Sequence, residues 1–412
     1  MTARTTLRVI ALSTSGLVLL CPGLVYGQEP SPNVPVTQRD RPEFDPLGIR
    51  AGSFLIFPSI GVSESYDTNV FATPDDEVDD FITQVEPRVE VVSNFPRHAL
   101  AFSTGADVAF YASETDENYQ DFFVNGDGQL DVTRDSALTA DVSAGRFHIG
   151  RDDPEDVGTA EPIEYWSYGG GLAYTHAFNR VNFRLTTQAE REDYSDTNGI
   201  SNEDRNVNEY DILFRTGFLV SPRFNTFVEG RYNIEDRTDE DPGEPSRDSD
   251  GWEARVGTEV DITALLFGEA FVGYRKQYFK DDAFDSEDGF SFGVDLTWNP
   301  TTLTTVGLSG GADFEPTVQA GASSDFETRI ALAVDHELLR NVLIGATAAY
   351  ERDDFTGIDR LDETYEIGGR ATYLLNRYLY LRGGYTFEDR TSDDPDEEFT
   401  DHLFTIGITA QL

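Results

Sequence analysis

The chain has 412 residues, with 76 Asp and Glu against 31 Lys and Arg, giving a formal charge of −45. That balance excludes a nucleic-acid surface, which needs clustered Lys and Arg, and no nucleic-acid partner is expected. Its single Cys and single Met both fall in the first two dozen residues, and no later stretch reaches the roughly 18 apolar residues a spanning helix requires.

The N-terminus reads as a secretory signal. Arg4 and Arg8 form a basic start, Val9 to Leu20 an apolar stretch, and Val25-Tyr26-Gly27 a small-residue cleavage site. A lipidated Cys21 is a poor fit, because Leu19 and Leu20 stand where small residues are wanted. Removing 1–27 takes two arginines, so the charge moves from −45 to −47, and leaves no thiol for a disulfide. Residues 28–52 are rich in Pro and charge, lack periodicity and read as an extended periplasmic leader.

From residue 53 onward, alternating runs are separated by breaks that are short and long in turn. In Val181-Asn182-Phe183-Arg184-Leu185-Thr186-Thr187-Gln188-Ala189-Glu190 the odd positions are apolar or small, apart from Thr187, and the even ones are mostly charged or amide. Successive strand side chains point to opposite faces, so such a run has one greasy and one wet side. The pattern predicts strands over 53–66, 81–93, 98–112, 119–133, 137–149, 163–177, 181–194, 207–220, 224–236, 249–262, 265–278, 288–298, 302–314, 323–335, 341–353, 363–374, 377–389 and 399–412.

The short breaks are turns rich in Pro and Asn, such as Asn94-Phe95-Pro96-Arg97, Phe178-Asn179-Arg180, Ser221-Pro222-Arg223 and Leu375-Asn376-Arg377, with a less typical one near Thr263-Ala264. The long breaks carry the acid: Asp75-Asp76-Glu77, Asp152-Asp153, Glu240-Asp241, Asp281-Asp282, Asp353-Asp354, Asp393-Asp394 and Asp396-Glu397-Glu398. Strands of bilayer-crossing length with alternating faces, short turns and longer loops predict an all-β fold. It is a transmembrane antiparallel up-and-down β-barrel of about 18 strands, filling 53–412, in a bacterial outer membrane. The short turns would then be periplasmic and the acidic loops extracellular.

Parity divides each strand. Lipid-facing positions include Phe183 and Leu185, Trp252 and Val256, Phe290 and Trp298, and Phe404 and Ile408. Aromatics gather at strand ends, Trp298, Tyr373 and Tyr378 low and Trp166 and Trp252 high with Tyr274 and Tyr350, as two interfacial girdles would. The opposite parity predicts a pore lining of Glu86, Arg88, Glu90, Arg184, Glu190, Glu229, Arg231, Glu253, Arg255, Glu259, Glu269, Arg275, Glu327, Arg329, Glu366, Arg370, Arg382 and Glu388. Acid and base alternate there, which suits either a ladder of ion pairs stiffening the interior or the wall of an aqueous channel. Tyr232 to Arg237 (Tyr-Asn-Ile-Glu-Asp-Arg) echoes Tyr385 to Arg390 (Tyr-Thr-Phe-Glu-Asp-Arg), at equivalent outer ends of two strands.

No catalytic site is expected. His98, His176, His336 and His402 fall toward periplasmic ends by the strand map and His148 toward the outer end, with no common spacing, and no Gly-x-Ser-x-Gly elbow is present. The loop acids suit calcium bridging to lipopolysaccharide, but no EF-hand pattern occurs, so neither a metal site nor a cofactor is predicted.

Arg41-Pro42-Glu43-Phe44-Asp45-Pro46-Leu47-Gly48-Ile49-Arg50, then Gly52 to Ser59, then Tyr66-Asp67-Thr68-Asn69-Val70-Phe71 resemble the start of the beta-barrel porin 2 type family of alphaproteobacterial outer-membrane proteins. Many such barrels end in Phe where this chain has Leu412. The resemblance implies an outer-membrane channel for a hydrophilic solute, with exopolysaccharide export as the expected setting. The partners it implies are outer-membrane lipid and lipopolysaccharide, barrel-assembly machinery and a polysaccharide export complex. The alternatives are a structural or adhesive barrel acting through its acidic loops, and a general nutrient diffusion porin. The last should carry a long loop folded inward, and the loops read here are all modest in length.

Overall fold

The computed structural model describes residues 34–156, 158–238, 245–262, 265–315 and 317–412. The stretch read as a secretion signal, the start of the segment read as a leader, the turn at Thr263-Ala264 and the pair Glu240-Asp241 lie outside these.

The strands are β1 (Ile49–Ala51), β2 (Phe54–Asp67), β3 (Asp80–Ser93), β4 (Ala99–Tyr111), β5 (Tyr119–Thr133), β6 (Ser136–His148), β7 (Glu164–Phe178), β8 (Val181–Tyr194), β9 (Val207–Ser221) and β10 (Phe224–Arg237). There follow β11 (Ser249–Ile262), β12 (Leu266–Phe279), β13 (Glu287–Thr301), β14 (Thr304–Glu315), β15 (Ser324–Leu339), β16 (Val342–Thr356), β17 (Leu361–Asn376), β18 (Leu379–Ser392) and β19 (Phe399–Gln411). Each strand from β2 pairs antiparallel with the next, and β19 returns to β2 with Leu403 opposite Asp67 and Gln411 opposite Ser59. Setting aside β1, a short flap paired only with the start of β2, eighteen strands close into a barrel. Closure leaves no unpaired edge, a condition for burying backbone amides in hydrocarbon.

The predicted spans hold to a few residues: 181–194 is Val181–Tyr194, while 288–298 extends to Glu287–Thr301. The outward faces are apolar and open, with Phe290 80% and Ile406 68% exposed, as residues that meet lipid must be. Leu185 points outward in the middle of β8 and Arg184 points inward. Arginine near the bilayer midplane on the lipid face costs about 2–4 kcal/mol. Leu185→Arg should therefore abolish the compact, heat-modifiable gel species in reconstituted lipid, whereas Arg184→Leu should retain it. Equal loss in both would mean the two faces are assigned wrongly.

Local chemistry fixes the ends of the hairpins. Asn179, in the turn after β7, sits at φ 54°, a left-handed conformation that Asn tolerates better than most residues. Gly48, before β1, has φ 68°, and a Cβ there would lie 2.7 Å from the Phe57 ring, so a larger residue would be both strained and blocked.

The Tyr66-to-Phe71 motif closes the barrel seam at the loop end. Asp67 and Asn69 are fully buried and Val70 nearly so. The Asn69 amide N–H donates to Asp67 (2.9 Å) and to Asp401 of β19 (3.0 Å), its side-chain NH2 donates to Thr73 O and Thr400 O, and the Thr68 hydroxyl donates to Asp401 (3.0 Å). The motif thus ties the first barrel strand to the last.

Candidate functional site

Register brings the inward side chains of β9–β14 into a continuous ionic lining. Arg215 donates to Glu229 (2.7 Å), Glu259 (3.0 Å) and Glu269 (2.8 Å), and its guanidinium lies 3.8 Å from the Phe227 ring centroid. Arg255 joins Glu229 (3.3 Å) to Glu253 (2.6 Å) and covers Phe271. A second chain runs from Asp211 through Arg231 (2.6 Å) to Asp313 (3.3 Å), which also pairs with Arg275. Arg215 reaches three strands along the sheet and Arg231 four. Such spans are possible only on the concave side. Each guanidinium is nearly or largely buried, yet each meets carboxylates and an aromatic face or a second acid, which offsets the desolvation of the charge.

Smaller pairs line the rest of the wall: Arg88 with Asp107 (2.5 Å), Arg382 with Glu86 (3.0 Å), Arg329 with Glu351 and, at 3.8 Å, Glu366, and Arg370 with Asp335. Glu190 accepts from the Ser167 hydroxyl, Glu327 is buried on β15, Glu90 is exposed, and Glu388 is half-buried on β18. Sequence parity alone missed Asp107, Arg215, Asp211, Asp313, Asp335 and Glu351, which complete these pairs. All stand at inward parity beside residues that were named, so the register of neighbouring strands was the missing information.

The arc β4–β7 differs. Its inward strand positions carry no arginine and include Ser103, Asn125, Asp127, Gln129, Thr139, Asp141, Ser143, Gly169 and Gly171, with Asp107 and Phe123 beside them reached by Arg88 of β3. Asp127 and Asp141 face each other across β5 and β6, and Asp141 and Ser143 are exposed although they point inward. The middle of this four-strand arc is therefore lined by small and acidic side chains, while ion pairs occupy most of the remaining ring.

Two segments enter the ends of this space. At the loop end, residues 149–156 after β6 reach the loop between β14 and β15, eight strands away around the ring. Glu155, 3% exposed, accepts from the Thr317 hydroxyl (2.6 Å) and the Val318 amide (2.8 Å), and the Gln319 amide donates to Pro154 O (2.8 Å). Arg390 of β18 donates to Asp152 O, and Arg151 pairs with Glu117 (2.7 Å) and Asp156 (3.2 Å). Burial holds the Asp156 carboxyl above its ordinary value, with Arg151 pulling the other way. This corrects the expectation of loops too modest to fold inward. Residues 149–156 suffice to bridge the mouth once Glu155 is anchored. The echoed arginines both donate to loop carbonyls, Arg237 to Asp204 O and Arg205 O of the adjacent loop and Arg390 to Asp152 O of the loop that crosses the mouth.

At the short-turn end, the leader from residue 34 onward lies inside the rim along β14–β19. The Val36 amide donates to the Thr305 hydroxyl (2.8 Å), Arg41 pairs with Glu337 (2.8 Å) with both buried, and Gln411 donates to Phe44 O. Arg41 also donates to Val36 O and Arg39 O, closing the single 3-10 turn Val36–Gln38.

The histidines do not converge. His402 opens β19 and so lies at the loop end, its ring beside Tyr385 and Phe387, which corrects its expected place near the periplasm. Among the described residues no group of three or more His, Cys, Asp or Glu could hold a metal ion. Trp298, Tyr373 and Tyr378 stand exposed at the short-turn end and Trp252 at the loop end, where Trp166 packs on Phe122 and Tyr168.

The family model described as Putative beta-barrel porin 2 matches residues 41–412, from the buried arginine of the leader to the last residue. The chain belongs to this family. Its place is accordingly the bacterial outer membrane, and its fold that of a channel for solutes. Among solved structures, the copper transporter OprC aligns over 89% of this chain and 81% of its own, with TM-score 0.50 and 11% identity. OccK2 (OpdF) of Pseudomonas aeruginosa aligns over 87% and 98%, with TM-score 0.48 and 10% identity. OpdL of the same organism aligns over 88% and 100%, with TM-score 0.43 and 11% identity. At such identity the likeness is one of fold. No curated protein matches the chain.

Proposed function

We propose that this member of the porin family is a diffusion channel for small hydrophilic solutes, with a cation preference, whose outer mouth is narrowed by residues 149–156. The observation that carries it is the Glu155 clasp on Thr317 and Val318, which lays a strand of chain across the opening. The solute path is the arc β4–β7, where Asp127 and Asp141 face water without an arginine. Fixed carboxylates there and in the loops concentrate cations at low salt, and the effect fades as salt rises. A bridge across the mouth favours small solutes over a threading polymer, so the channel reading stands apart from polysaccharide export. No catalytic role is assigned.

Planar-bilayer recording tests this. Wild type should conduct with a reversal potential shifted toward the cation, and Glu155→Ala with Gln319→Ala should raise the unit conductance. Cysteines at positions 154 and 319, oxidised together, should hold it at the wild-type level, on a background free of cysteine once the signal is cleaved. Conductance unchanged in the alanine variant would remove the loop as the constriction. A silent wild-type protein would favour the structural-barrel reading instead.

A further inference from the structure

Six of the eight short turns carry an arginine: Arg97, Arg134, Arg180, Arg223, Arg340 and Arg377. In a chain with 76 acids to 31 bases, this sets a basic rim against acidic loops at the other end. The rim divides into two arcs. Arg340 and Arg377 turn to the leader, donating to Asp40 O and Pro42 O (both 3.3 Å). The other four occupy four consecutive turns, after β3, β5, β7 and β9, and all are exposed. Among the described residues, the Arg97 side chain donates only to the carbonyls of Asp131 and Val132. The side chains of Arg134, Arg180 and Arg223 make no hydrogen bond or ion pair among the described residues. The four turns themselves hold one carboxylate, Asp135.

We infer that this arc of arginines binds the phosphate groups of anionic phospholipid in the leaflet at the short-turn end. A bilayer fits better than a soluble partner because each arginine is followed or preceded, within a few residues, by apolar side chains on the lipid face. These are Phe95, Val132, Phe178, Val220 and Phe224, all more than a third exposed. They set the hydrocarbon edge close to the turns, so long arginine side chains anchored just beyond it place their guanidinium groups in the headgroup layer. The planar fork of arginine matches phosphate oxygens in pairs, and a basic residue at an anionic surface strengthens attachment on the order of fivefold. The arc would thus fix the depth of one side of the barrel and gather anionic lipid around it, while the arc on the leader side would not.

Native mass spectrometry of the full mature protein, mixed with equal phosphatidylglycerol and phosphatidylcholine, tests this. Wild type should retain phosphatidylglycerol several-fold over phosphatidylcholine. The variant Arg97→Gln/Arg134→Gln/Arg180→Gln/Arg223→Gln should lose most of that preference, while Asp393→Asn/Asp394→Asn at the loop end should keep it. Should the quadruple glutamine variant not fold, the Arg→Lys quadruple keeps the charge and should retain a weaker preference, and raising salt should erode the wild-type preference. No lipid preference in wild type, or preference undiminished in the glutamine variant, would overturn the inference. So would equal competition by free inorganic phosphate, which would mark the arc as a soluble-anion site.

Discussion

Arg215→Ala should be the most damaging single change in the lumen, lowering folding stability in lipid vesicles by about 3 kcal/mol. Arg215 is 4% exposed and serves three carboxylates from three strands. Without it Glu229 keeps only the 3.3 Å contact with Arg255, Glu269 loses its counter-ion, and the Phe227 face is left uncovered. Removing one partner of a buried pair costs about 3–5 kcal/mol, because the remaining charge stays buried without compensation. Glu259 is 42% exposed and can be hydrated, which places the value at the lower end. Arg215→Lys should fall between, since an ammonium keeps the charge but cannot serve three acids in one plane. Urea titration followed by heat-modifiable gel mobility measures both. A loss below about 0.5 kcal/mol for the alanine variant would mean the network is solvated rather than structural.

Arg215 also shows where sequence reasoning stops. The alternation in Val181 to Glu190 establishes a two-faced strand without any partner, because the period is a property of one strand. Strand count and the inward rows follow the same way, and the inward parity of Arg184, Glu229 and Glu253 was readable. Which acid serves which arginine was not, since Arg215 meets Glu269 through 54 residues of sequence and only the stagger of three hairpins brings them level. Loop direction was hidden for a related reason. Residues 149–163 have the composition of any acidic loop, and nothing in them announces that Glu155 will find Thr317, 162 positions away. Proline-rich sequence likewise reads as extended when its partners are distant, as with Arg41 and Glu337. The loop-end place of His402 was legible, since the strand read over 399–412 already begins just after an acidic loop.

The leader supplies the second large effect. Arg41→Ala should release residues 34–48 from the short-turn opening while leaving the barrel intact. Arg41 is 3% exposed and holds Glu337 at 2.8 Å along with two carbonyls of its own segment. Once it is gone, Arg340 at 3.6 Å is the one ion pair left to Glu337 among the described residues, and the 3-10 turn carrying Val36 loses its tie. The strain of a stranded buried acid, again about 3 kcal/mol, falls on the docked state of the leader. It does not fall on the ring, whose eighteen strands close without these residues, so the opening is local rather than global. Limited proteolysis of the protein in vesicles should cut the variant within the leader and spare the wild type, with the unfolding midpoint of the barrel little changed. Glu337→Gln added to Arg41→Ala should restore part of the protection, because a neutral amide left behind is far less costly than a carboxylate. A leader that stays protected in Arg41→Ala would show that Thr305 and Gln411 suffice to hold it, and a barrel that melts early would show that the leader belongs to the fold rather than to its opening.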